Sequence, residues 1–290
     1  MAYDNGWQFL DDRGRLAGAP RTPARITAYI QAGATLHDHG VRPVSVFGSA
    51  HDGADADPAK AGALPPGTVD YLGPGPRLSA EDLLRSAPDL VVAVAYGSDH
   101  VYGLDPDTAK HLEERVPLVV VDVGNGRPLD GTRERFGALA ASLGAGEDRA
   151  ATAGLTDART RLSAAAGRAP EVRVLALSPA GDDTVHLARP TAWPDLRALT
   201  GHGVRMAEPG PGPGVSWSTT DWTAVERLEP DVVLVDVRAH AVPTHRLGGP
   251  GGRWAATARS RVVPWNPELP CSARAHAEFL AAVAEALQTR

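Results

Sequence analysis

The sequence predicts an α/β protein built as two similar lobes with mainly parallel sheets, joined by one long helix. Three observations carry this reading. Short, wholly apolar runs such as Leu90-Val91-Val92-Ala93-Val94 alternate with amphipathic stretches. Strands that are apolar on both faces belong to parallel sheets covered by helices on each side. A junction of the form Pro-Asp-strand occurs twice, since Ala87-Pro88-Asp89-Leu90-Val91-Val92 returns 142 residues later as Glu229-Pro230-Asp231-Val232-Val233-Leu234. Between the halves, Glu147 to Ala166 reads as one uninterrupted helix. The expected limits are 1–146 for the N-terminal lobe, 147–168 for the connecting helix and 169–290 for the C-terminal lobe.

In chain order, Arg25 to Ile30 reads as the first strand, Ala34 to His39 as a helix and Pro43 to Phe47 as the second strand. Ala50 to Gly67, rich in Gly, Pro, Ala and Asp, reads as loop. A helix follows at Ala80 to Arg85, then the strand Leu90 to Ala95, a helix from Pro106 to Glu114 and the strand Pro117 to Val123. In the long central helix, Leu155, Ala158 and Leu162 share one face, and Pro170 stops it. The second half opens with the strand Val172 to Leu177. Its Pro-Asp strand follows, and the strand around Val263 stands 144 residues after Val119. A C-terminal helix covers Ala275 to Leu287. Offsets of this size mean two lobes of like topology and exclude a short-period solenoid.

The 290 residues suit about two domains. A formal net charge of -6 excludes a broad nucleic-acid-binding surface, which needs excess cationic charge. Lys60 and Lys110 are the only lysines among the basic residues. With Cys271 as the single cysteine, neither an intramolecular disulfide nor a Cys-based zinc site can form. The longest apolar run of the expected core, Leu90 to Tyr96, is too short to span a bilayer. The amino terminus has neither a basic nor an apolar leader segment, so a cytoplasmic location is expected for the sequence as it stands. An extracytoplasmic, membrane-associated location is expected if a leader has been removed.

Several segments together resemble the class III substrate-binding proteins of siderophore, haem and cobalamin ABC importers. They are Pro23 to Tyr29 leading into Leu36-His37-Asp38-His39-Gly40-Val41, and Leu78 to Val91. Val215-Ser216-Trp217 through Glu229-Pro230-Asp231-Val232-Val233 continues the match, with Trp254 and Arg261-Val262-Val263-Pro264 before the last helix. The resemblance covers about residues 7–290. It implies a ligand cleft between the lobes and capture there of a small metal-chelating organic molecule, such as a ferric siderophore. It also implies docking on an ABC permease through an acidic residue, for which Glu81 holds the N-lobe place while Thr223 stands in the C-lobe. A monomer is expected, with no nucleic-acid partner.

In open α/β sheets, ligands sit beyond the carboxyl ends of the strands. That rule selects Gln31, Ser49, Tyr96, His100 and Tyr102 in the first lobe, and Trp217, Arg238 and His240 in the second. The aromatic residues offer apolar area with polar tips, and Arg238 offers paired N–H donors for an anionic chelate. Arg189, Trp193 and Trp265 are second-tier candidates. No cofactor is expected and no protein metal ligands, because a metal inside an organic chelate needs none. His37 and His39, two apart on a helix, face opposite ways. Catalytic motifs are lacking. There is no Gly-x-Ser-x-Gly, and Ser98-Asp99-His100 holds triad residue types at adjacent positions, which rarely converge in space. Binding is therefore expected over catalysis. The alternative is a leaderless cytoplasmic enzyme or sequestering protein of specialised metabolism on the same fold.

Overall fold

The computed structural model describes residues 6–65, 67–97, 99–124, 126–247 and 260–288. Ser98 and Trp254, named above, lie outside them. The chain divides into two compact units, Met1–Arg149 with Glu268–Ser272, and Ala150–Pro267 with Ala273–Arg290. These limits differ from the expected ones in two ways. The long helix counts with the second unit almost from its first residue, and five residues near the end of the chain return to the first.

The first unit begins with a hairpin of β1 (Trp7–Leu10) and β2 (Leu16–Ala19), which the sequence reading did not anticipate. Its five-stranded sheet contains β3 (Ile26–Tyr29), β4 (Ser45–Gly48), β5 (Asp70–Pro74), β6 (Leu90–Ala95) and β7 (Leu118–Asp122). The order is β5-β4-β3-β6-β7, all parallel. All six residues of β6 are buried, as a central strand covered on both faces requires. β7 is an edge strand, and the hairpin blunts it. The Asp12 N–H donates to the Val120 carbonyl at 3.0 Å, and the Asp12 side chain accepts from the Asp122 N–H at 2.8 Å.

Helices of this unit are α1 (Ile30–Asp38), α2 (Pro58–Ala61), α3 (Ala80–Leu84), α4 (Pro106–Glu113) and α5 (Leu129–Ser142). α1 starts directly where β3 ends, four residues before the expected place. Its first turn, Ile30 to Gly33, is as buried as the strand, so no change in periodicity marks the boundary. The segment read as loop contains α2, where the Asp57 carboxylate accepts the Ala59 N–H at 2.9 Å ahead of Pro58 at the first helical position.

The second unit contains α6 (Arg149–Arg168), with Leu155, Ala158, Leu162, Ala165 and Ala166 buried. Its strands are β8 (Arg173–Pro179), β9 (Val185–Ala188), β10 (Arg205–Met206), β11 (Trp217–Thr220), β12 (Val232–Asp236) and β13 (Arg261–Trp265). The order is β11-β9-β8-β12-β13, with β10 beside β8. β8, β12, β13 and β10 run parallel, whereas β9 and β11 form an antiparallel extension. Among the described residues its further α-helices are α7 (Pro194–Gly201), α8 (Trp222–Leu228) and α9 (Ala273–Gln288).

The repeated Pro-Asp junction is alike in atomic detail. Among the described residues, Ala87 and Glu229 are the two non-glycines with positive φ, +47° and +42°, at equivalent places. Each turns the chain so that the aspartate two residues later caps a neighbouring strand. Asp89 accepts the Arg25 N–H at 2.7 Å, and Asp231 accepts the Arg173 N–H at 2.8 Å. A left-handed conformation is costly for a residue with a side chain, and it persists here because the capping bonds over-determine it.

Candidate functional site

In the first unit the carboxyl ends of β3, β4 and β6 meet in a cluster of aromatic rings. Tyr29 is fully buried and packs edge-on against Phe47 at 5.8 Å and Tyr102 at 5.5 Å. Tyr102 in turn packs on Tyr96 at 4.8 Å. Tyr96 and Tyr102 are half-buried, so this pair forms the accessible end of the chain of rings. Gly75 lets the loops close beneath it: a Cβ there would stand 1.9 Å from the Gly103 carbonyl oxygen.

Behind the rings lies a buried charged network. Lys60, with no exposed surface, sits 3.0 Å from both Asp52 and Glu268. Glu268 also accepts the Tyr29 hydroxyl, and Asp52 accepts the Ser49 N–H at 2.6 Å and its Oγ–H at 2.9 Å. Burial pulls the Lys60 pKa down, but the facing Glu268 and Asp52 carboxylates outweigh it and hold the ammonium above the usual lysine range. Burial likewise works to raise Asp52, yet the Ser49 N–H and Lys60 keep its carboxyl below the usual range. Burial, then the Glu268 charge, push the Tyr29 phenol well above the ordinary tyrosine value. The network fastens Glu268–Ser272 to the first unit. Gln31 helps, donating from Nε2 to the Leu269 carbonyl at 3.0 Å.

In the second unit three tryptophans converge. Trp217, the first residue of β11, is half-buried and contacts Trp193 at 5.1 Å and Trp265 at 5.8 Å, while Trp193 and Trp265 pack edge-on at 5.7 Å. His186 stands 6.3 Å from Trp217. The buried indole N–H groups have fixed acceptors. Trp193 Nε1 donates to the Ser216 carbonyl at 3.0 Å, and Trp265 Nε1 to Asp195 Oδ2 at 2.5 Å. Burial pushes the Asp195 pKa up to about 6, against the opposing pull of the Trp265 N–H and the α7 backbone N–H groups. Arg189 holds the loop before Trp217, donating to the carbonyls of Gly210, Gly212 and Gly214 at 3.0–3.3 Å. Prolines at 211 and 213 remove backbone donors from that loop, so its carbonyls need an outside partner.

The structure thus sorts the expected residues. Tyr96 and Tyr102 come together; Trp217 joins Trp193 and Trp265, which the sequence ranked lower. Gln31 and Ser49 are buried at 3% and 1% exposure, with Gln31 spent on Leu269 and Ser49 on Asp52. Arg238 is paired through its fork with Asp236, Nε to Oδ1 at 3.0 Å and Nη2 to Oδ2 at 2.8 Å, so its charge is compensated within the chain. The pair borders a cavity of about 320 Å³ lined also by Thr244, His245, Val262 and Pro264. His100 and His240 are exposed, as is Glu81, whose carboxylate meets Arg115 at 2.8 Å. Among the described residues no cluster of three or more His, Cys, Asp or Glu is placed to hold a metal ion, and no helix is long and apolar enough to cross a membrane. Sequence reasoning missed Lys60, Asp52, Glu268 and Asp195. One signal was present, because Lys60 is a rare lysine in an arginine-rich chain.

No protein-family model matches the chain, and no curated protein sequence matches it. Solved structures do. A ferric-siderophore receptor protein, DesE from Streptomyces coelicolor, is 27% identical with a TM-score of 0.86, and the match covers 98% of each chain. A siderophore periplasmic binding protein from the fuscachelin gene cluster of Thermobifida fusca is 17% identical with a TM-score of 0.65, over 92% of this chain and 97% of that one. The periplasmic haem-binding protein RhuT from Roseiflexus sp. RS-1 is 18% identical with a TM-score of 0.63, over 91% and 97%. The last two establish the fold; the first adds sequence likeness along essentially the full length. With its two α/β units, repeated Pro-Asp junction and long central helix, the chain has the fold of the class III substrate-binding proteins and is similar to them over essentially its full length.

Proposed function

We propose that this protein binds a small organic chelate of ferric iron on the aromatic surface presented by Trp217. The observation that carries the reading is the tryptophan cluster itself. Trp217 is partly open to solvent and is backed by two buried indoles whose N–H groups are already satisfied. Such a surface offers rigid apolar area at little conformational cost, which suits a compact ligand with a mixed polar and apolar exterior. The likeness to a ferric-siderophore receptor over 98% of both chains supports a siderophore as the chelate. Iron is then cargo carried in by the ligand, and the protein supplies shape. In this role the protein works outside the cytoplasmic membrane and passes its ligand to an ABC permease, with exposed Glu81 as the docking contact of the first unit.

Tryptophan fluorescence titration with a ferric hydroxamate, a ferric catecholate, haem and cobalamin tests the reading. Saturable quenching by a ferric complex is expected, with smaller amplitude in Trp217→Phe. If all four leave the emission unchanged or quench it without saturation, the reading fails.

A further inference from the structure

We propose that Asp195 is the positioning residue of the tryptophan site, fixing Trp265 through its indole N–H so that protonation of the carboxylate loosens the cluster and weakens ligand binding. The inference rests on the ligand-binding reading above and adds a pH response to that same surface.

The geometry forms a short chain. Asp195 lies in the first turn of α7, 7% exposed, and its Oδ2 takes the Trp265 N–H at 2.5 Å. Trp265 is 1% exposed, so no water can replace that acceptor without disturbing the packing. From Trp265 the contact passes edge-on to Trp193 at 5.7 Å and to the accessible Trp217 at 5.8 Å. An ionised carboxylate is a stronger and more directional acceptor than a neutral acid, so gain of a proton weakens the one bond that sets the Trp265 ring plane.

Few other groups bear on this carboxylate. On its own helix Arg197 favours the ionised form, as do the backbone N–H groups of Asp195 and Leu196. From β13 the facing group is the Trp265 indole, which does not titrate in this range. On β9, His186 lies against Trp217, with its Nδ1 2.9 Å from the Thr219 hydroxyl. Arg189 is committed to the glycine carbonyls. Burial of Asp195 brings its proton exchange close to neutral pH, where a surface aspartate would stay ionised.

The test uses the full chain with a hexadentate ferric hydroxamate as probe. Tryptophan emission without ligand is followed from about pH 8 down to about pH 4.5, and probe affinity is measured at both ends of the transition. His186 contacts Trp217 directly, so His186→Gln is made alone and together with Asp195→Asn. The parent and His186→Gln are expected to show an emission transition near pH 6 and about tenfold weaker probe binding on its acid side, the weight of one charge-assisted hydrogen bond. Asp195→Asn is expected to lose the transition and to bind with an affinity independent of pH. A transition that survives in Asp195→Asn, or that vanishes in His186→Gln alone, overturns the assignment. The ligand-free transition reports on Asp195 whatever the ligand, whereas lack of saturable binding at neutral pH counts against the binding reading alone.

Discussion

Replacing Lys60 by Met should destabilise the first unit by about 3–5 kcal/mol, the usual cost of removing one partner from a buried ion pair. The ammonium has no exposed surface and lies 3.0 Å from both Asp52 and Glu268, so its loss leaves two carboxylates without their shared cation. Methionine fills much of the same volume, which makes the cost electrostatic and not a cavity effect. For a unit of this size, about 3 kcal/mol corresponds to a fall in Tm of roughly 6–12 °C. Thermal and urea unfolding of parent and variant measure it. The pH dependence carries a sign. In the parent, the raised Lys60 pKa gives stability that is present below the ordinary lysine range and is lost as pH rises past it. The lowered Asp52 pKa gives stability present above the usual carboxylate range and lost as pH falls through the folded value. In Lys60→Met, Asp52 loses the cation that helps to lower its pKa, so the deficit should shrink on acidification. A triple variant, Lys60→Met with Asp52→Asn and Glu268→Gln, should recover part of the loss. A Lys60→Met protein within about 1 kcal/mol of the parent at neutral pH would refute the reasoning, because surface-type pairs are worth no more than that.

Two further outcomes follow from the second unit. Asp195 is held at about 6 against an ordinary 3.8, so its ionisation costs folding roughly 3 kcal/mol. That stability is fully present below the ordinary value and is lost as pH rises towards 6. Asp195→Asn should therefore be the more stable protein at neutral pH and equal to the parent near pH 3.8; urea unfolding at both pH values decides, and a parent more stable throughout would contradict it. Arg189→Ala should free the carbonyls of Gly210, Gly212 and Gly214 at a cost of about 2 kcal/mol, seen as faster hydrogen exchange at those glycines with little change at β12. Unchanged exchange there would mean that the loop is set by its prolines alone.

What could be read from the sequence was what local pattern determines. The Leu90–Ala95 and Val232–Asp236 strands are apolar on both faces, and the Pro-Asp junction before each is a local signature, down to its shared positive φ. The hairpin at Trp7–Ala19 escaped notice because its strands are four residues each and its stability comes from distant partners, such as Ser142 accepting the Trp7 indole N–H. The candidate site was legible by type but not by grouping. Trp193 precedes α7, Trp217 opens β11 and Trp265 closes β13, and their ring contacts at 5.1–5.8 Å are tertiary, so no local pattern encodes them. For Arg238 the sequence itself holds the partner that takes its guanidinium. Asp236 is two residues away at the end of β12, a local pairing that residue type and spacing make possible but that only the folded chain displays.

The return of Glu268–Ser272 to the first unit sets a condition on the order of events during synthesis. Tyr29 and Glu268 are 239 positions apart, and Gln31 and Leu269 are 238 apart. A nascent chain that has emerged as far as residue 149 has every strand of the first sheet, but it lacks the carboxylate that completes the Lys60 network. The first unit thus cannot be finished until residues 268–272 have been made, and until then Lys60 has only one of its two acids. Premature termination just before Glu268 should therefore harm both units, the first through the Lys60 network and the second through loss of α9.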